Sequence, residues 1–136
     1  MTTTRIPLIA AIVCLPLITA CAIFSTEREF DGAQMFMANC ASCHGRDATG
    51  SVAMGLNLTP PASDLTTISA RNGGNFPWNS VLSTIDGFGQ GGHNGAMPAF
   101  GEGDLGEPVL IERDGASIPV PAGLLALGTY VFSLQK

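Results

Sequence analysis

The stretch MFMANCASCHGRD, residues 35–47, places two cysteines and a histidine within five consecutive positions. These residues are Cys40, Cys43 and His44, and the chain contains one other histidine, His93. Side chains three positions apart lie on the same side of a helix, so the two thiols are predicted to face one region of space. We therefore expect the chemistry of the protein to be centred on this stretch.

The pattern C-x-x-C-H is typical of the site at which haem c is covalently attached. Two thiols one helical turn apart can add across two vinyl groups, and His44 then supplies an axial ligand to the iron. A thioredoxin-type motif would need a βαβ context, which the sequence does not show. A zinc site has enough ligands, but adjacent ligands at positions 43 and 44 give poor tetrahedral geometry. That zinc alternative would use Cys40, Cys43, His44 and His93. The sequence therefore predicts one covalently attached haem c.

The second axial ligand of the iron is predicted to be Met97. It lies in the glycine-rich segment 95–101, where Pro98 stiffens the backbone and the glycines allow close approach to a ring. A thioether ligand raises the reduction potential of haem iron. His93, four residues earlier, is the competing ligand, and it is otherwise expected to be a solvated loop residue. The other methionines considered are Met35, Met37 and Met54.

The composition excludes some classes of function. The chain has 136 residues, enough for one modest domain, and a formal net charge of -5 at pH 7. Its 6 lysines and arginines form no basic cluster of the kind that binds nucleic acid. An acidic surface suits a partner with a basic docking face, although it also serves plain solubility. No pairing of a nucleophile with a base is evident, so no catalytic residue is predicted.

The first two dozen residues predict export. Residues 6–24 carry no charge and are mostly apolar, which is typical of an export signal or a membrane anchor. The sequence Ile18-Thr19-Ala20-Cys21 resembles the lipobox of bacterial lipoproteins, which implies cleavage before Cys21 and lipid on its sulfur. The predicted boundaries are a signal peptide at 1–20, a tether at 21–27 and a folded domain at 28–136. The domain is expected in the bacterial periplasm, tethered to a membrane.

An uncleaved membrane helix is the alternative to a lipoprotein signal. Residues 6–24 barely reach the roughly 20 residues needed to span a bilayer. Pro7 and Pro16 weaken that helix. If Cys21 carries lipid, Cys40 and Cys43 are the only cysteines left in the exported chain, which rules out a framework of structural disulfides.

Two helices are predicted in the first half of the exported chain. The first covers residues 25–39, with Thr26 as its N-cap, and continues into the C-x-x-C-H motif until Gly45 stops it. The second is short, covers residues 64–71 and has Ser63 as its cap.

A third helix, a hairpin and a last helix are predicted in the second half. Pro77 suits the first position of the third helix. Its buried face consists of Trp78, Val81, Leu82 and Ile85. Two apolar runs around Asp114-Gly115 predict a β-hairpin at about 108–120. Pro121 opens the last helix.

The chain resembles the class I c-type cytochromes through three groups of residues. The groups are Gly32 and Phe36 with the motif Cys40 to Gly45, then Met97-Pro98-Ala99-Phe100, then Leu127 and Tyr130. The resemblance covers nearly all of residues 28–135. It implies an all-α fold of about four helices wrapped around one covalent haem, with the hairpin as an insertion before the C-terminal helix. It also implies that Gly32 and Phe36 contact Leu127 and Tyr130, where the first and last helices cross.

The resemblance implies further cofactor-binding residues. The carbonyl of Pro60 or Pro61 would accept a hydrogen bond from the second ring nitrogen of His44, and the choice between them stays open. Arg71 or Trp78 would lie near the haem propionates, although Trp78 equally suits the helix core. The chain departs from the family pattern in its hairpin and in its single lysine, so docking through a ring of lysines does not carry over.

The predicted function is one-electron transfer by an exported, membrane-tethered carrier between respiratory or dehydrogenase partners. The alternative is a cytochrome subunit permanently docked on a membrane oxidoreductase complex, which would co-purify with its partners. A minor alternative is a haem sensor or peroxidase with a labile sixth ligand, which carbon monoxide would bind.

Overall fold

The computed structural model describes residues 29–50, 58–87, 97–113 and 115–136. The predicted signal peptide, the tether, Cys21, Met54 and His93 lie outside these ranges. The helices in the described ranges are α1 Gly32–Asn39, α2 Ala41–His44, α3 Ile68–Arg71, α4 Trp78–Asp86 and α5 Ala122–Ser133, with a 3-10 turn at Leu65–Thr67. The strands are β1 Pro108–Arg113 and β2 Ala116–Pro121.

Helix α1 begins at Gly32, several residues later than predicted. Asp31 has an extended backbone, and its carboxylate accepts a hydrogen bond from the backbone N–H of Gln34 at 3.0 Å. This is the geometry of an N-cap, which satisfies one of the unpaired donors of the first turn. The expected cap, Thr26, lies outside the described residues. The carboxylate of Asp31 therefore sets the start of the helix.

Helices α1 and α5 cross at close range, as the resemblance to the class I c-type cytochromes implies. A Cβ atom built on Gly32 would lie 2.1 Å from the carbonyl oxygen of Ala126. The rings of Phe36 and Tyr130 pack with their centroids 5.3 Å apart and their planes tilted by 49°. Phe36 is 0% exposed and Leu127 is 1% exposed. This crossing is the centre of the hydrophobic core.

Helix α4 packs on the same helix, α5, through the predicted face. Leu82 and Ile85 are buried. The methyl group of Leu82 lies where a side chain on Gly128 would project, with a Cβ–Cδ2 separation of only 2.6 Å. Gly87 ends α4 in the left-handed conformation, with φ of 84°, which glycine adopts without steric cost.

The helical segment predicted at residues 64–71 is a 3-10 turn followed by α3. Its cap is Asp64, and the prediction of Ser63 was wrong. The carboxylate of Asp64 accepts hydrogen bonds from the backbone N–H and the hydroxyl of Thr66, at 2.8 and 2.7 Å. Thr66 is 2% exposed, so this pairing satisfies polar groups that are out of contact with water.

Strands β1 and β2 form the predicted hairpin, with Gly115 in its turn. Val109 faces Val120 across the ladder, and Val120 is buried. Leu110 faces Pro119 on the opposite side and is 70% exposed. One face of the hairpin thus packs on the core and the other faces solvent. The described chain is helical with one two-stranded sheet, placed where the insertion was predicted.

Two sets of contacts fix the hairpin to the helices. The backbone N–H of Gly123 donates to the carbonyl of Leu105 at 2.8 Å, which ties the start of α5 to the segment before β1. The guanidinium of Arg113 donates to the Asn79 side chain at 2.8 Å and lies 5.3 Å from the centre of the Trp78 ring. Across the described ranges, no helix is both long and apolar enough to cross a membrane.

Candidate haem-binding site

Cys40 lies at the junction of α1 and α2 and takes part in both. Its backbone N–H donates to the carbonyl of Phe36 at 2.8 Å. Its own carbonyl accepts from the N–H groups of Cys43 and His44, at 3.1 and 2.9 Å. The resulting turn carries both thiols and the imidazole. It ends at Gly45, with φ of 79°, so the predicted stop is confirmed.

Both cysteines of the motif are free thiols and half-buried. Burial, and secondly the charge of the neighbouring Cys43, raise the pKa of the Cys40 thiol to about 11. Cys40 is therefore protonated at neutral pH in the closed domain. Across the described ranges, no group of three or more His, Cys, Asp and Glu side chains is arranged to hold a metal ion, and His93, the fourth ligand of the zinc alternative, lies outside them.

The imidazole of His44 is oriented by a backbone carbonyl. Its Nδ1 atom lies 3.0 Å from the carbonyl oxygen of Ser63. A carbonyl only accepts hydrogen bonds, so we assign the hydrogen of the neutral ring to Nδ1. That leaves Nε2 with its lone pair for a metal ligand bond, as the haem prediction requires.

The acceptor of this bond was expected to be Pro60 or Pro61, and the structure corrects that expectation to Ser63. The reason lies two residues further on, where the N–H of Leu65 donates to the carbonyl of Ala48 at 2.8 Å. This bond determines which residue of the segment 60–65 lies against the imidazole of His44. A backbone carbonyl has no signature in the sequence, so only the general segment could be predicted. Pro60 and Pro61 line a cavity beside His44 instead.

Two adjoining cavities lie beside His44, with volumes of about 270 and 280 Å³. The residues lining both are Cys40, His44, Ser63 and Met97. The first cavity is completed by Asn39, Cys43, residues 58–62, Pro98 and Phe100. Apolar side chains of α1, α4 and α5 contribute to the second, among them Phe36, Val81, Ile85, Leu127 and Val131.

The donor set and the walls of these cavities fit a haem. An imidazole, a thioether and two thiols border a space whose other walls are mainly hydrocarbon. Imidazole and thioether are the axial ligands found in c-type cytochromes, and apolar walls suit a flat macrocycle. Cys40, Cys43, His44 and Met97 are therefore the residues that would hold the group.

Met97 is held beside the cavities by a loop fastened to the end of α4. The N–H of Phe100 donates to the carbonyl of Ile85 at 3.0 Å, and the N–H of Gly101 donates to that of Asp86 at 2.9 Å. A Cβ on Gly101 would lie 2.8 Å from the backbone carbonyl oxygen of Asp86, which cannot rotate away, so the approach needs a glycine. The position of Met97, in the wall of both cavities, supports it as a ligand. Its bond to iron stays a prediction.

Arg71 lines the second cavity, as its predicted role requires. One of its nitrogens, Nη1, already donates to the carbonyl of Asp64 at 2.9 Å and to the hydroxyl of Thr67. These bonds fasten the end of α3 to the segment that follows Ser63. Contact between Arg71 and a haem propionate stays a prediction.

Trp78 lies in an aromatic cluster between α4 and α5. Its ring centre is 4.9 Å from that of Phe76 and 5.2 Å from that of Phe132. Trp78 lines neither of the two cavities. Its position agrees with the helix-core alternative, and a role beside the propionates stays a prediction.

The fold and the site together define a class of protein, the c-type cytochromes of class I type. The family model described as cytochrome c oxidase, cbb3-type, subunit III matches residues 28–110. The chain belongs to this family.

Two relatives from Rhodobacter capsulatus, both described as cbb3-type cytochrome c oxidase subunit CcoP, are similar to the chain. One is 36% identical over 108 residues, which is 79% of this chain and 29% of the relative. The other is 38% identical over 104 residues, 76% of this chain and 28% of the relative. The chain thus spans under a third of the length of these relatives. No solved structure matches the chain.

Proposed function

We propose that this protein carries one electron at a time on a single haem c, attached covalently through Cys40 and Cys43. Nε2 of His44 would be one axial ligand of the iron and the thioether of Met97 the other. When bound, the iron supplies the site that gains and loses the electron. The observation that carries the proposal is that His44 and Met97 line the same two cavities, next to the cysteines.

The residues around the cavities would prepare this site for electron transfer. The carbonyl of Ser63, 3.0 Å from Nδ1, holds the imidazole in one orientation and makes it a more basic ligand. The buried side chains of Phe36 and Leu127 keep water from one side of the space. A dry site with fixed ligands needs little rearrangement when its charge changes.

The family and the two relatives favour the role of a cytochrome subunit docked on a membrane complex over that of a free electron carrier. We therefore place the electron carrier as a cytochrome subunit of a membrane oxidase complex, which passes electrons between a redox partner and that complex. The proposal includes a periplasmic position and a membrane tether, formed by lipid on Cys21 or by an N-terminal anchor.

An absorption spectrum tests the haem. The exported protein, produced in a host that attaches haem c and reduced without oxygen, should give a low-spin c-type spectrum that carbon monoxide leaves unchanged. The double variant Cys40→Ala/Cys43→Ala should contain no covalent haem, whereas the exposed Ser42→Ala in the same turn should retain it. A wild-type protein without covalent haem, or one whose spectrum shifts promptly with the gas, would overturn the assignment.

Purification from detergent-solubilised membranes separates a docked subunit from a shuttle. The tagged protein should elute with an oxidase complex that consumes oxygen. Elution of the haem-loaded protein alone would favour the free carrier. Cys21→Ser tests the tether: if lipid on Cys21 holds the protein, this variant should leave the membrane fraction.

A further inference from the structure

The segment that carries Ser63 is pressed against the loop that follows the C-x-x-C-H motif. The N–H of Leu65 donates to the carbonyl of Ala48 at 2.8 Å. Gly50 approaches the segment so closely that a Cβ there would lie 2.2 Å from the carbonyl oxygen of Ala62. Ser63 therefore lies between Ala62 and Leu65, and contacts with the loop at residues 48–50 fix the positions of both.

Gln135, beyond the end of α5, holds the same segment from the other side. Its side-chain Nε2 donates to the carbonyls of Leu65 and Val131, both at 2.8 Å. Its Oε1 accepts from the backbone N–H of Ser69 at 2.9 Å. The side chain is half-buried, so removing it would leave these backbone groups without an equivalent partner, which is costly away from water. One amide thus joins α5 to the start of the 3-10 turn and to the first turn of α3.

We propose that Gln135 is a positioning residue for the iron ligand His44. Both backbone polar groups of Leu65 are engaged, the carbonyl by Gln135 and the N–H by Ala48. Ser63, two residues earlier, is consequently limited in how its carbonyl can point. That carbonyl sets the strength of the hydrogen bond to Nδ1 of His44.

The expected consequence is electronic as well as mechanical. A strong bond from Nδ1–H to a carbonyl makes the imidazole a better donor to iron, which favours the oxidised state. Loosening the segment should weaken the bond and shift the reduction potential upward. This inference rests on the proposed function, because it assumes that Nε2 of His44 binds iron.

The test is the reduction potential of the haem-loaded protein with Gln135→Met, which keeps a similar side-chain volume and removes every hydrogen bond of the amide. We expect an upward shift of the potential and a changed proton NMR signal of the axial histidine. Gln34→Met is the matched control, because Gln34 is exposed on α1 and its side chain makes none of these bonds. The control should have the wild-type potential.

A second control separates positioning from plain stability. Leu124 is 5% exposed and lines neither cavity, so Leu124→Ala should lower the melting temperature without moving the potential. If Gln135→Met lowers only the melting temperature, in the manner of Leu124→Ala, the positioning role is overturned. Gln135→Asn keeps a neutral amide on a side chain one methylene shorter, which cannot reach all three partners, and should give a smaller upward shift. It decides the question if the methionine variant yields no folded holoprotein, since an unchanged potential would then overturn the role.

Failure of the inference is distinguishable from failure of the proposed function. A wild-type protein without a low-spin c-type spectrum would contradict the proposed function itself. A normal wild-type spectrum, together with the wild-type potential in both Gln135 variants, would contradict only the positioning role of Gln135.

Discussion

The carbonyl oxygen of Ala126 occupies the space into which a side chain on Gly32 would project, 2.1 Å from the ideal Cβ position. The Cβ atom of Tyr130 lies 3.1 Å from the same point. The nearest obstacle is backbone, so it cannot move aside by changing a rotamer. Helices α1 and α5 are therefore in contact at a distance that only glycine permits.

Gly32→Ala is expected to destabilise the domain by about 2 kcal/mol, because the helices would have to separate. This loss should appear although alanine is favoured over glycine by about 1 kcal/mol within helices. Urea unfolding followed by circular dichroism measures it. The reverse substitution at an exposed site of α1, Ala38→Gly, should cost only about 1 kcal/mol. A Gly32→Ala protein as stable as the wild type would contradict the crossing.

Gly101→Ala is expected to loosen Met97, because the new Cβ would lie 2.2 Å from the Asp86 carboxylate and 2.8 Å from its backbone carbonyl. The stability loss should be about 1–3 kcal/mol. The holoprotein should also bind carbon monoxide more readily. Gly103→Ala is the matched control in the same loop, since its Cβ meets only the carbonyl oxygen of Phe100, at 3.3 Å. Equal behaviour of the two variants would show that Gly101 does not hold the loop.

Met97→Ala should open the sixth position of the iron. The absorption spectrum of the reduced variant should shift on addition of carbon monoxide, whereas the wild-type spectrum should not. Met37→Ala is the control, because Met37 is 39% exposed and belongs to α1. If His93→Ala opens the iron and Met97→Ala does not, the assignment of the ligand is wrong.

The ionised carboxylate of Asp64 should make the stability of the folded domain depend on pH. Hydrogen bonds from the hydroxyl and then the backbone N–H of Thr66 lower the pKa of this carboxyl in the folded protein. A lowered pKa contributes stability above the unfolded-state value, near 4, which is lost as the pH falls through the folded-state value. Melting temperatures from pH 6 to pH 2 should therefore differ most between wild type and Asp64→Asn at the upper end.

Thr66→Val provides the complementary measurement for this carboxyl. Valine has a similar shape and lacks the hydroxyl that is the largest cause of the lowered pKa. The fall of the melting temperature with decreasing pH should then begin at a higher pH. If the melting temperature of both variants depends on pH as that of the wild type does, the bond between Thr66 and Asp64 does not contribute to stability.

The parts of the fold that depend on local patterns could be predicted from the sequence. The hairpin around Asp114-Gly115 is confirmed because two apolar runs and a turn pair determine their own register. The start of the first helix was placed too early, because several residues could serve as its cap. The capping contact that decides between them is the one between Asp31 and Gln34.

The candidate site was predictable where side chains carry the chemistry and unpredictable where the backbone does. Cys40, Cys43 and His44 follow from their spacing alone. The bond from His44 to Ser63 depends on the path of the chain across the site, and the identity of Ser63 does not reveal it. Two of the three bonds of Gln135, those with Ser69 and Leu65, likewise join residues more than sixty positions apart, which no local pattern encodes.

The pairing of α1 with α5 also sets an order of events during synthesis. Helix α1 emerges early, whereas the helix that covers it is made only after all the intervening chain, so their contact forms late. Until then Cys40 lacks the burial that raises its pKa to about 11 in the closed domain. Because the thiolate is the nucleophilic form, the thiol is more reactive in the open chain than in the finished fold. The newly made, still open chain is therefore the form best suited to chemistry at this cysteine.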